Sequence, residues 1–174
     1  MRRACVPAVA MLMAVSGAAE PDPWASLRVL EGKWQGPSSG EPGQGVSTRE
    51  FRFELNGMYL SEHDKTVWEP KSEAAKPQVH EDFGWFSYDR SLKKIVWRQF
   101  HSEGFVNEYT LDTESADGKP LEFVTERMEN SPSGWRAKES FQVLSADEVE
   151  ATFFLARPGK GFEIHTRTLL KRVK

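Results

Sequence analysis

Cysteine is nearly absent from this chain: there is one, Cys5. It lies in the apolar run Ala4 to Val15, which follows Arg2 and Arg3 and leads into Ser16-Gly17-Ala18-Ala19. A basic start, an apolar stretch and small residues before a cut site describe a secretory signal peptide over 1–19. The run is shorter than the ~20 apolar residues that span a bilayer. The expected mature chain, 20–174, then has no cysteine at all, which excludes disulfides and leaves the hydrophobic core to hold the fold. A second apolar run is also lacking, so no membrane insertion is expected, and the location implied is periplasmic or secreted. Basic runs are missing too. Loss of Arg2 and Arg3 moves the formal net charge from −3 to about −5, a poor start for binding nucleic acid.

What is present is alternation. Phe51, Phe53 and Leu55 alternate with Arg52 and Glu54, and Asn56-Gly57 follows, the pair that favours a tight hairpin turn. A two-residue turn pairs Leu55 with Met58, Phe53 with Leu60 and Arg49 with Asp64, so that apolar meets apolar and opposite charges meet. Similar runs cover Val79 to Tyr88, Lys94 to His101, Phe105 to Leu111, Leu121 to Met128, Trp135 to Leu144, Glu148 to Ala156 and Phe162 to Val173. Turn-forming stretches such as Asp89-Arg90-Ser91, Asp117-Gly118 and Pro158-Gly159 separate them. With a first strand around Trp34 these make an all-β, closed antiparallel up-and-down barrel of about ten strands in one domain, 20–174. Asp22-Pro23-Trp24 predicts one short N-terminal helix, with Asp22 as its N-cap and Trp24, Leu27 and Leu30 on one face.

A three-residue turn at Ser102-Glu103-Gly104 sets His101 against Phe105, Gln99 against Asn107 and Trp97 against Tyr109. That face mixes large aromatics with hydrogen-bonding groups, the composition of a ligand cavity rather than a plain core. Trp85, from the preceding strand, joins these as a candidate ligand-binding residue. Most of the carboxylates Glu81, Asp82, Glu103, Glu108, Glu126 and Glu129 alternate outward; Glu139 instead shares its phase with Trp135, Ala137, Phe141 and Val143. Arg127 shares phase with Leu121 and Phe123, so Arg127 and Glu139 are expected inside, as a structural pair or a ligand clamp. Gly36-Pro37-Ser38-Ser39-Gly40 fits G-x-S-x-G, but Glu41-Pro42-Gly43 cannot open the helix a nucleophile elbow needs, and the stretch reads as a loop. His80-Glu81 begins like a zinc motif, yet in a strand the two point to opposite faces, leaving His80 as a polar group near the rim. On the last strand Phe162, Ile164, Thr166, Thr168 and Leu170 form the more apolar face, which turns His165 outward unless a bulge intervenes.

Leu30-Glu31-Gly32-Lys33-Trp34-Gln35-Gly36 resembles the G-x-W-x-G start shared by calycin-type barrels: lipocalins, fatty-acid-binding proteins and nitrobindins. Pro77 to Gly84 is similar to the nitrobindin segment in which a His-Glu pair leads to a glycine, and His165 to Arg172 resembles the nitrobindin last strand. The Tyr-Pro-Thr stretch of nitrobindins is replaced by Ser38-Ser39-Gly40-Glu41-Pro42. This resemblance implies a ten-stranded barrel with haem b iron held by His165, and chemistry on reactive nitrogen species such as peroxynitrite isomerisation. Three functions follow as expectations. The first is a binder of a small hydrophobic or amphipathic molecule (a fatty acid, lipid fragment or haem), with no catalytic residues assigned. The second is a haem-dependent isomerase or scavenger, and the third a filled barrel acting through its surface on an envelope partner.

Overall fold

A computed structural model describes residues 21–113 and 119–174. The expected signal peptide and the Asp117-Gly118 turn lie outside them. Ten strands form: β1 (Gly32–Gly40), β2 (Gly43–Glu54), β3 (Tyr59–Trp68), β4 (Gln78–Asp89), β5 (Lys94–His101), β6 (Val106–Thr113), β7 (Leu121–Glu129), β8 (Arg136–Ser145), β9 (Glu148–Ala156) and β10 (Glu163–Arg172). Each pairs antiparallel with its neighbours in sequence, and β1 pairs with β10, closing the barrel. The outer face carries cross-strand ion pairs, Arg98 to Glu108 at 2.7 Å and Lys138 to Glu122 at 2.7 Å among them. No helix among the described residues is long and apolar enough to cross a membrane.

The hairpin of β2 and β3 has the expected register, with Phe53 opposite Leu60 and Arg49 opposite Asp64. Its tip is wider than a two-residue turn. Leu55, Asn56 and Gly57 all have positive φ, Met58 N–H donates to the Glu54 carbonyl, and Leu55 and Met58 are exposed.

The N-terminal segment is not a helix but a series of turns ending in a 3₁₀ turn, Arg28–Leu30. Asp22 still makes the contact of an N-cap at the start of these turns, accepting Trp24 N–H at 3.1 Å, and also accepts the Arg28 guanidinium at 2.7 Å. Trp24, Leu27 and Leu30 are buried as expected. Their spacing of three matches the 3.0-residue repeat of a 3₁₀ turn, so all three reach the barrel floor without a full α-helix. They plug one end, where Trp34, Phe51, Phe86, Trp97, Phe123 and Phe141 fill the interior. Arg172 ties the plug down: it donates to the Glu31 and Val29 carbonyls at 2.6 and 2.9 Å and lies over the Trp34 ring at 4.1 Å.

Gly36 to Gly40 is strand, not loop. Ser38 is buried and accepts a hydrogen bond from the Thr168 hydroxyl at 2.8 Å, so no nucleophile elbow exists there. Gly36 is required by a close approach: a Cβ at this position would lie 1.8 Å from the Leu169 carbonyl oxygen of β10.

Candidate functional site

Beyond the aromatic filling the barrel is hollow. A cavity of about 420 Å³ opens at the end away from the plug, within the ~300–1,000 Å³ range of small-molecule sites. Its wall is divided. Phe105, Met128, Trp135, Phe153 and Leu155 supply an apolar half, while Arg49, Asp64, His80, Asp82, Gln99 and Glu139 supply a polar one.

Strand parity builds the polar half. In β2, Ser47, Arg49 and Phe51 face inward; in β3, Leu60, Glu62, Asp64 and Thr66 do so. Arg49 thereby meets Asp64 at 2.8 Å, Glu139 at 2.9 Å and Glu62 at 3.4 Å, all of them buried. Burial opposes charge on Arg49, but the surrounding carboxylates outweigh it and raise its pKa further. Burial raises the pKa of Glu139, and raises that of Glu62 well above the usual carboxylate range, with Arg49 only partly opposing it. Glu62 has no hydrogen-bond partner on either oxygen. One of them, and the indole nitrogen of Trp97, occupy the space over Gly84 that a side chain there would fill.

A second cluster lies at the rim. β4 places His80 and Asp82 two residues apart on its inner face, and Asp82 pairs with His101 of β5. His80 bridges Asp82 at 2.9 Å and Glu103 at 2.7 Å. Burial works against its charged form, yet these two carboxylates raise its pKa to about 9. Burial also opposes charge on Asp82, but His101 and His80 prevail and lower its pKa. One ligand atom from each of His80, Asp82, His101 and Glu103 lies within 4.8 Å of the others. The His101 ring stacks on Phe105 at 4.1 Å, across the turn whose register the sequence predicts.

The candidate residues divide three ways. Gln99, His101, Glu139 and His165 line the cavity. Asn107 is fully buried behind His101, with its amide nitrogen 3.0 Å from the ring Nε2 and 2.9 Å from the Tyr109 hydroxyl. Trp97 and Tyr109 are inside but fully buried, stacked at 4.7 Å in the filled half rather than on the cavity wall. Burial pushes the Tyr109 phenol well above its ordinary pKa.

Trp85 and Arg127 are corrections. Trp85 is 44 % exposed, because His80, Asp82, Gly84 and Phe86 set the inward parity of β4. Arg127 points outward to Glu129 at 3.4 Å. A bulge in β7, where Glu108 faces Arg127 but Tyr109 faces Thr125, reverses its phase. Met128 replaces it on the cavity wall, and Glu139 pairs with Arg49 instead. Asp82, expected outside, is buried.

His165 is corrected the other way. β10 carries a bulge between Ile164 and Thr166, which throws Ile164 outward and brings His165 to the cavity wall. Its Nδ1 lies 2.8 Å from the Glu41 carboxylate and its ring meets Phe153 edge-on at 5.8 Å. In the order of the barrel strands β10 stands five places from β5 in either direction, so His165 faces His101 across the hollow.

No protein-family model matches the chain, and no curated protein does. Among solved structures it is similar to the crystal structure of Rv2717c from M. tuberculosis. That match has a TM-score of 0.68 at 18 % identity and covers 88 % of this chain and 99 % of the other. The likeness is one of fold: a closed ten-stranded antiparallel barrel, consistent with the calycin-like architecture.

Proposed function

We propose that the protein binds a small amphipathic molecule in the hollow half of the barrel. The divided wall supports this reading: one apolar side for a hydrocarbon or ring system, one polar side for its head group. The head group would meet Gln99, His80 and the Arg49–Asp64–Glu139 cluster, while Phe105, Phe153 and Leu155 would cover the apolar part. The test is titration with the fluorescent probe 1-anilinonaphthalene-8-sulfonate, alongside native mass spectrometry of freshly purified protein. Saturable one-to-one enhancement is expected. Ala151 also lines the cavity, and Ala151→Phe, which grows a ring into it, would abolish the enhancement while leaving a cooperative melt. Equal enhancement in that variant would sink the reading in favour of a barrel that works through its surface.

Haem is the second reading, favoured by the bulge that brings His165 to the cavity. With Nδ1 held by Glu41, Nε2 is left as the donor, the carboxylate–histidine arrangement that supports metal ligation. Phe153, Leu155, Trp135 and Met128 would flank a macrocycle. Bound haem would supply an iron centre for nitrogen-oxide ligands, and an isomerase or scavenger activity depends on that step. Haemin titration should give a sharpened Soret band at one equivalent that shifts in His165→Ala. A featureless response, or a band indifferent to that change, removes haem and the enzyme reading with it.

A further inference from the structure

We propose that His80, Asp82, His101 and Glu103 form a binding site for one divalent transition-metal ion at the rim of the cavity. The proposal is separate from the amphipathic-ligand reading and stands or falls without it.

Geometry at Asp82 and His101 carries the idea. Asp82 Oδ1 and His101 Nδ1 lie 2.7 Å apart, and both side chains are only 4 % exposed. They form a buried ion pair, and the Asn107 amide on the far ring nitrogen leaves Nδ1 to face Asp82. This buried imidazole nitrogen and carboxylate oxygen converge with donor atoms of His80 and Glu103, all within 4.8 Å of one another, as ligands of one cation do. His80 and Glu103 complete the approach from the open side, at 29 % and 43 % side-chain exposure, so an ion can enter and a position can stay free toward the cavity.

Asn107 supplies the outer support. If His101 binds metal through Nδ1, its proton must sit on Nε2 and needs an acceptor. Asn107 faces Nε2 and has an amide oxygen with no partner; turning that amide over places the oxygen on the ring N–H. The Phe105 stack fixes the plane of the ring.

Donor chemistry sets the metal class. Two imidazoles and two carboxylates suit Zn²⁺, Co²⁺ or Fe²⁺, whereas Ca²⁺ and Mg²⁺ prefer all-oxygen sites. In a tetrahedral site with bonds of about 2.0–2.1 Å, ligand atoms stand about 3.3 Å apart. The Asp82–His101 contact of 2.7 Å would therefore open by roughly half an ångström as a metal replaces the proton between the two atoms.

The probe is Co²⁺ added to chelator-treated protein and read by its visible d–d absorption, followed by displacement with Zn²⁺. One equivalent should bind, with proton release, and Zn²⁺ should bleach the band stoichiometrically. His101→Ala and His80→Ala should lose the band, and Glu103→Gln, a change at an exposed position, should weaken binding by about tenfold or more. His63→Ala on the outer face and His165→Ala across the cavity should keep it. No stoichiometric binding by the parent protein overturns the proposal, as does binding unchanged in His80→Ala. Should His101→Ala fail to fold, the two rim variants decide the matter.

Discussion

Arg49 sits where three carboxylates converge, and its removal would strand buried acids with no counter-ion. Breaking a buried ion pair from one side costs about 3–5 kcal/mol. Arg49→Met should therefore lower the urea-unfolding free energy by that order at neutral pH. A loss below about 1 kcal/mol would place the Arg49 network among weak surface pairs instead. Glu62 gives the opposite sign. In the folded chain burial raises its pKa well above the free value of 4.5. Above pH 4.5 the folded state consequently holds more protons than the unfolded one, so stability falls as pH rises from 4.5 through the raised value. Its contribution is complete only below 4.5. Glu62→Gln should remove that decline, leaving a variant more stable than the parent at neutral pH and the gap closing in acid. Parallel stability curves from acid to neutral pH would show that Glu62 ionises freely.

At the scale of elements, the seam between β1 and β10 depends on Gly36, where any Cβ would strike the Leu169 carbonyl. Gly36→Ala must push the strands apart, an overpacking cost of about 3 kcal/mol, visible as a lower melting temperature. A melt unchanged within error would mean the seam can slide. Arg172 clamps the plug to the same seam. Arg172→Ala should speed amide exchange around Val29 to Glu31 more than in the strands, and uniform acceleration would deny it that local role. These elements were unequally legible in the sequence. Alternation and Asn-Gly revealed the β2–β3 register, and Gly104 the His101–Phe105 turn, because each rests on local backbone chemistry. The same parity that put Phe51 inside also puts Arg49 inside, and Leu60 carries Glu62 and Asp64 with it. The charged floor was therefore readable from the register, had charge not suggested exposure. The bulges in β7 and β10 were not readable, since an extra residue in a strand leaves no mark in composition. They misplaced Arg127 and His165 in opposite directions. The predicted helix failed because spacing of three serves a 3₁₀ plug as well as an α-helical face.

Taken whole, the barrel combines a solid half with a hollow half, and stability and binding should separate along that division. Phe123 is fully buried and packs edge-on against Phe86 and Trp97 at 5.5 Å each and against Phe141 at 6.2 Å. Phe123→Ala would open a void that close-packed neighbours cannot collapse into, costing about 3–5 kcal/mol. Phe153 instead borders space that is already open, so truncating it removes contacts on one side only. Phe153→Ala should cost under about 1.5 kcal/mol, well below a buried aromatic truncation, while shifting the affinity for 1-anilinonaphthalene-8-sulfonate. Urea midpoints and probe titrations on the two variants test the division together. If Phe123→Ala leaves stability intact, or Phe153→Ala unfolds the chain without touching probe affinity, the halves do not divide the labour. If the pattern holds, the plug and its aromatic layer are the foundation that lets the other half keep charged and polar groups facing a cavity.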